Sequence, residues 1–244
     1  FLSRPRRFGK TLFTQTLQAY YDIAAAKDFE RNFAGTYIGE HKTPLANTFR
    51  VIHFDFSGIS PQNFESDFAD QVLSGFFDFC LRYPFKSGES LLREKFDSAH
   101  RLLTAFVREY EATFREPIYL IIDEYDQGAN EVLASSLKSF QALTKSGGAL
   151  KTFYERLKQI ATKGTIGRIF ITGVTTIQLD SMTSGFSLAK NFTTNARFTT
   201  MFGFTERELR NLISQLVDLK QYGKSLDEVL IRMKEWYNCL LYTS

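Results

Sequence analysis

Arg4-Pro5-Arg6-Arg7-Phe8-Gly9-Lys10-Thr11 repeats the phosphate-binding pattern G-x-x-x-x-G-K-[ST] at every fixed position but the first, where Arg4 replaces Gly. Each fixed residue has a chemical reason. Gly9 lets backbone N–H groups close on phosphate oxygens. Lys10 brings a point charge to the β- and γ-phosphates, and the Thr11 hydroxyl is a ligand for Mg²⁺. Residues Thr11–Lys27 follow with Leu12, Phe13, Leu17, Tyr20 and Tyr21 spaced for one helical face. Such a helix aims its positive N-terminal end at an anion. Pro5 biases Arg4 towards extended backbone, which suits a residue leaving a strand. The plainer alternative is a basic turn ahead of a surface helix.

The second informative stretch is Ile118-Tyr-Leu-Ile-Ile-Asp123-Glu124-Tyr-Asp126. Its unbroken apolar run reads as a strand buried on both faces, delivering Asp123 and Glu124 at its carboxyl end. Asp123 then serves as a magnesium ligand and Glu124 as the group that activates water. Alternatively the strand simply ends in a solvated acidic turn, with Asp126 as a supporting acid or helix cap. A further apolar strand, Arg168–Ile171 behind Gly167, delivers Thr172 as a candidate sensor of the γ-phosphate. A threonine satisfying strand-end backbone groups is the other reading of Thr172.

Between these motifs the expected elements are a strand over Arg50–Phe56 and a helix capped by Ser60-Pro61, with a buried stripe of Phe64, Phe68, Val72, Phe76 and Cys80. Helices are also expected over Glu89–Phe114, Asn130–Leu143 and Ala149–Ala161. Thr172–Met201 reads as a long loop in which Arg197 serves a surface salt bridge or approaches a phosphate. Asn191-Phe-Thr193 is a chance sequon, and Thr205–Glu208 is a capping box opening a helix to about Leu219. Strands alternating with helices give an α/β sandwich with a mainly parallel sheet, whose ligands gather at the carboxyl ends of the strands. The 244 residues hold 25 Phe and 5 Pro, so a large core is available and linker is scarce. A net charge of +3 does not argue for nucleic acid. Two cysteines and three dispersed histidines form no disulfide framework or zinc pattern. With no apolar run of membrane length, no membrane partner and a cytoplasmic location are expected.

The octapeptide resembles the first motif of the bacterial AAA-ATPase-like family, in which Arg often opens the loop. Asp123-Glu-Tyr-Asp126 resembles its second motif, and Leu179–Phe186 and Phe202-Gly-Phe-Thr-Glu206 look like further landmarks. The resemblance implies a three-layer P-loop sandwich of the additional-strand type. It would bind ATP through Arg4, Pro5, Arg6, Arg7, Phe8, Gly9, Lys10, Thr11 and Leu12, hold Mg²⁺ with Thr11 and Asp123, and use Glu124, Lys10 and Thr172 in hydrolysis. Residues 1–204 then form the ATPase core, 205–238 begin a helical segment, and 239–244 read as a foreign tail. Trp236-Tyr-Asn238 resembles the start of a family motif, after which relatives often continue into a PD-(D/E)XK nuclease-like domain, the route by which nucleic acid would become a partner. Self-association is a further expected partnership. The strand feeding the loop belongs in mid-sheet, and with only Phe1-Leu2-Ser3 left of it an exposed edge and poor solubility are expected. The rival readings are a regulatory nucleotide-binding module and a nucleic-acid-binding domain that uses the basic Arg4–Lys10 loop.

Overall fold

Strand alternation decides how the layers fill. In the computed structural model, which describes residues 1–175, 189–198 and 200–236, the strand Ile118–Asp123 is buried at every position. Ile118, Leu120 and Ile122 enter one apolar cluster while Tyr119 and Ile121 enter another, because successive side chains leave a strand on opposite faces. Along the chain, β1 (Leu2–Ser3) precedes α1 (Lys10–Tyr21), α2 (Phe29–Phe33), α3 (Tyr37–Glu40) and β2 (Arg50–Asp55). Then come α4 (Phe64–Arg82), α5 (Lys86–Leu91), α6 (Ala99–Thr113), β3 (Ile118–Asp123), α7 (Gln127–Ser135), α8 (Leu137–Thr144), α9 (Ala149–Thr162) and β4 (Ile166–Gly173). The described chain closes with α10 (Glu206–Leu216), α11 (Leu219–Tyr222) and α12 (Leu226–Trp236).

The described strands form one parallel sheet in the order β1-β4-β3-β2. Parallel neighbours need long crossovers, and the helices of those crossovers cover both faces. On one face Phe68, Val72 and Phe76 of α4, Phe106 of α6 and Phe153 of α9 pack against Ile52, Phe54 and Leu120. On the other, Leu17 and Tyr21 of α1 meet Val51, Tyr119 and Ile121. The architecture is therefore α/β in three layers. The expected stripe of α4 is buried in full, from Phe64 to Cys80.

Several boundaries differ from expectation, each for a local reason. The first helix ends at Tyr21, where extended Asp22 accepts a hydrogen bond from Ala24 N–H and is held by Arg82 (3.2 Å) and the Tyr83 hydroxyl. α4 starts at Phe64, not behind Ser60, because Asp67 reaches back to accept the Ser60 N–H and hydroxyl at 2.8 and 2.6 Å. The helix expected over Glu89–Phe114 is two, restarting where Asp97 pairs with Arg101 and Ser98 is extended. Asn130–Leu143 breaks at Ser136, whose hydroxyl accepts from Ser139 N–H and starts α8. The capping box at Thr205 and Glu208 is present, with its helix ending at Leu216.

Among the described strands β1 is the sheet edge, not the middle. Its outer side is covered: Phe192 N–H donates to Phe1 O (2.9 Å) and Ser3 N–H to the Thr193 hydroxyl (3.0 Å). The segment 190–193 thus pairs the outer side of β1, while β1 itself pairs β4 only at Thr172 and Gly173. Leu179–Phe186, Tyr237-Asn238 and the tail 239–244 lie outside the described residues.

Candidate functional site

Because the strands are parallel, their carboxyl ends bring together the turn 4–9, Asp55, Asp123–Asp126 and Thr172–Thr175. Arg7 (φ 68°) and Gly9 (φ 82°) are both left-handed, the local geometry that turns successive N–H groups to one side as an anion nest. Gly9 sits at the N-cap of α1 with open space where a Cβ would stand. The first N–H groups of α1 have no acceptor within the helix, as at any helix start. Lys10 then folds inward. It is buried, with its Nζ 3.1 Å from Glu124 Oε1 and 3.4 Å from Pro5 O.

Asp123 is buried at the end of β3, on the α1 side of the sheet. Its Oδ1 accepts from Glu124 N–H at 3.0 Å, and its Oδ2 receives a long 3.4 Å contact from the Thr14 hydroxyl. Burial pushes its carboxyl above the usual range, Asp55 adds to the push, and the Thr11 hydroxyl, the Glu124 N–H and Lys10 pull it back. Glu124 turns the chain sharply at φ 49°, an uncommon value for a residue with a side chain. One of its oxygens meets Lys10. The other, Oε2, is buried with no hydrogen-bond partner among the described residues, as is Thr172 Oγ1. Native structures keep few such atoms, since each costs about 1–3 kcal/mol, and a missing ligand is one reason to find them.

A family model described as a predicted AAA-ATPase matches residues 1–183. The chain belongs to this AAA-ATPase-like family. No curated protein and no solved structure matches it. No helix among the described residues of this AAA-ATPase-like chain is long and apolar enough to cross a membrane.

The departure from the usual loop in this AAA-ATPase-like protein has a structural use. The Arg4 side chain ties the start of the loop to the segment beside β1. Its guanidinium donates to Ser3 O, Thr193 O and Phe198 O at 2.8–3.0 Å, and its N–H donates to Gly173 O. Pro5 lacks an N–H and offers only its carbonyl, to Lys10. Arg6, Arg7 and Leu12 are exposed, and Phe8 is half-buried. Asp126 stands at the N-cap of α7 without a side-chain cap bond, and its carboxylate accepts from Val174 N–H, Thr175 N–H (2.6 Å) and the Thr175 hydroxyl (2.8 Å), fixing the turn after β4. A Cβ on Gly173 would stand 2.3 Å from Asp126 Oδ1, so only glycine admits that approach. The sequon residue Thr193 is engaged with Ser3, and Arg197 is exposed.

Two residues beside Asp123 escaped the sequence reading. Asp55 ends β2 in register with Asp123, and Thr14 lies one turn beyond Lys10 on the same face of α1. The alternation of Val51, His53 and Asp55 already put Asp55 on the face shared with α1. Its position opposite Asp123 depends on strand pairing, which one sequence does not disclose.

Proposed function

We propose that this chain binds Mg·ATP at the carboxyl edge of its sheet and hydrolyses the β–γ bond, as a P-loop ATPase of the additional-strand type. The observation that carries the reading is the meeting of Lys10 and Glu124 at 3.1 Å beside buried Asp123, from motifs more than a hundred residues apart. The position of β4 between β1 and β3 supports the additional-strand assignment. On this reading residues 1–204 are the ATPase core and 205–238 a helical appendage.

Lys10 and the loop N–H groups hold the β- and γ-phosphates. An arriving γ-phosphate competes with Glu124 for Lys10, leaving the carboxylate free to take a proton from the attacking water. As water's oxygen bonds to the γ-phosphorus, the bond to the β–γ bridging oxygen breaks and ADP leaves. Lys10 neutralises the charge that develops there. Thr172 Oγ1, without a partner among the described residues, is available to a phosphate oxygen. Mg²⁺ would be held by Thr11 and Asp123 and would neutralise phosphate charge. These are hard oxygen donors, which suit it. No cluster of three or more metal-binding side chains exists among the described residues, which agrees with an ion that takes one or two carboxylates and completes its shell with phosphates and water. The rival use of the basic loop as a phosphodiester surface loses two of its four cations, since Arg4 is committed to carbonyls and Lys10 is buried.

Calorimetry and turnover on three variants test the reading. Lys10→Ala should nearly abolish ATP affinity. Glu124→Gln should keep affinity while turnover falls about a hundredfold or more. Asp123→Asn should weaken the response to Mg²⁺. Unchanged ATP affinity in Lys10→Ala sinks the site, and a parent with affinity but no turnover converts the enzyme into a regulatory module.

A further inference from the structure

The chain behind β4 returns to the phosphate loop and touches it at both ends. At the start of the loop, Arg4 N–H donates to Gly173 O at 3.0 Å, extending the ladder between β1 and β4. The Arg4 guanidinium then reaches away from the sheet, to Thr193 O at 2.9 Å and Phe198 O at 3.0 Å. These two carbonyls lie on a turn already closed by its own contacts. Asn195 N–H donates to Phe192 O, Phe198 N–H donates to Asn195 O, and the rings of Phe192 and Phe198 meet at 4.9 Å. The same segment lies along β1, through Phe192 N–H to Phe1 O and Ser3 N–H to the Thr193 hydroxyl. A few residues further on, Phe202 packs against Phe13 of α1, ring centroids 5.2 Å apart. Between these anchors the loop is lightly held: Pro5 O meets Lys10 Nζ at a long 3.4 Å, and Arg6 and Arg7 are exposed.

We infer that Arg4 is a positioning residue that couples nucleotide occupancy of the phosphate loop to the anchoring of residues 190–198, an inference that rests on the proposed phosphate site. To bind phosphate the loop must hold its N–H groups in one arrangement, and whatever fixes its first residue lowers the cost of ordering the rest. Arg4 fixes the loop from the sheet side, and α1 fixes it from Gly9 onward. The planar fork of a guanidinium spans both carbonyls at once, whereas a lysine ammonium is a single point on a flexible stem. The glycine usual at this position has no side chain with which to make the tie. Coupling of this kind is reciprocal: since anchoring the segment favours ATP, bound ATP anchors the segment by the same factor. Asn191, Thr194, Asn195 and Arg197 are exposed, so the segment carries the state of a buried site to the surface.

The test measures ATP and inorganic tripolyphosphate affinity, with Mg²⁺, and hydrogen exchange of residues 190–198, on the full chain and on Arg4→Gly and Arg4→Lys. In the parent, saturating ATP should slow exchange of the Phe192, Thr193 and Phe198 amides about tenfold, within the usual range for coupled sites. Arg4→Gly restores the usual loop residue, yet it should bind both ligands about tenfold more weakly, the same factor read from the other side. Exchange in 190–198 should then no longer respond to ATP. Arg4→Lys keeps the charge and loses the fork, so it should fall between parent and Arg4→Gly, and it carries the test where Arg4→Gly fails to fold. An Arg4 that serves the fold alone predicts a lower melting temperature in the variants with both affinities and the exchange response kept. That result overturns the coupling and spares the phosphate site, as does a parent that binds ATP with no change in exchange. A parent that binds neither ATP nor tripolyphosphate overturns both.

Discussion

Asp22 shows how one residue shapes both a boundary and a pH response. It stops α1 by adopting extended backbone and carries its carboxylate into a nearly closed site with Arg82 and the Tyr83 hydroxyl. Burial outweighs the pull of Ala24 N–H, Arg82 and Arg50, and lifts the carboxyl from 3.8 to about 6. A carboxyl whose folded value is raised favours the folded state most when protonated. That contribution is fully present below pH 3.8 and is lost as pH rises through about 6. The shift corresponds to about 3 kcal/mol at most. Asp22→Asn removes this titration, so its stability relative to the parent should rise between pH 4 and pH 7, read from urea midpoints at each pH. A difference that stays flat across that window contradicts the assignment. Lys10, Asp123 and Glu124 could be picked out as candidates from type and spacing alone, and the structure brings Lys10 and Glu124 together beside Asp123. The role of Arg4 could not, since its three carbonyl partners include two almost two hundred residues away.

The elements were legible wherever periodicity was strong. The α4 stripe and the all-apolar β3 left no ambiguity about which faces are buried, and the structure buries both. Interruptions at Asp22, Ser98 and Ser136 were missed because each depends on a side chain bonding locally in competition with the helix. Within α4 the neighbours Phe76 and Phe77 separate core from surface. Phe76 is fully buried and stacked on Phe106 at 3.8 Å between ring centroids, whereas Phe77 is 53% exposed. Phe76→Ala should therefore cost about 3–5 kcal/mol, the range for emptying a buried aromatic site. Phe77→Ala should stay within about 0.5 kcal/mol of the parent, as surface changes usually do. Similar denaturation midpoints for the two variants would show that α4 is rotated from the packing described.

At the scale of the whole molecule, stability is uneven. β3 lies between two apolar clusters, whereas α10 and α12 share a small cluster of Leu209, Ile213 and Leu230. The ion pairs of Arg210 with Glu206 and Asp227 and of Lys234 with Glu206 lie at the surface, where salt screens them. Amides of residues 206–236 should accordingly exchange with deuterium well before those of 118–123, and equal protection would disprove a separately opening helical segment. The pairing of β1 with β4 has a consequence for biosynthesis. Leu2 lies beside Thr172, so the strand that leads into the phosphate loop has no sheet partner until about 170 further residues have been translated. At roughly 5–20 residues per second, the ribosome takes on the order of 10–30 s to supply it. The strand that feeds the phosphate loop is thus made well before it can be seated, and during that interval Phe1 and Leu2 are apolar side chains that a nascent-chain chaperone can hold.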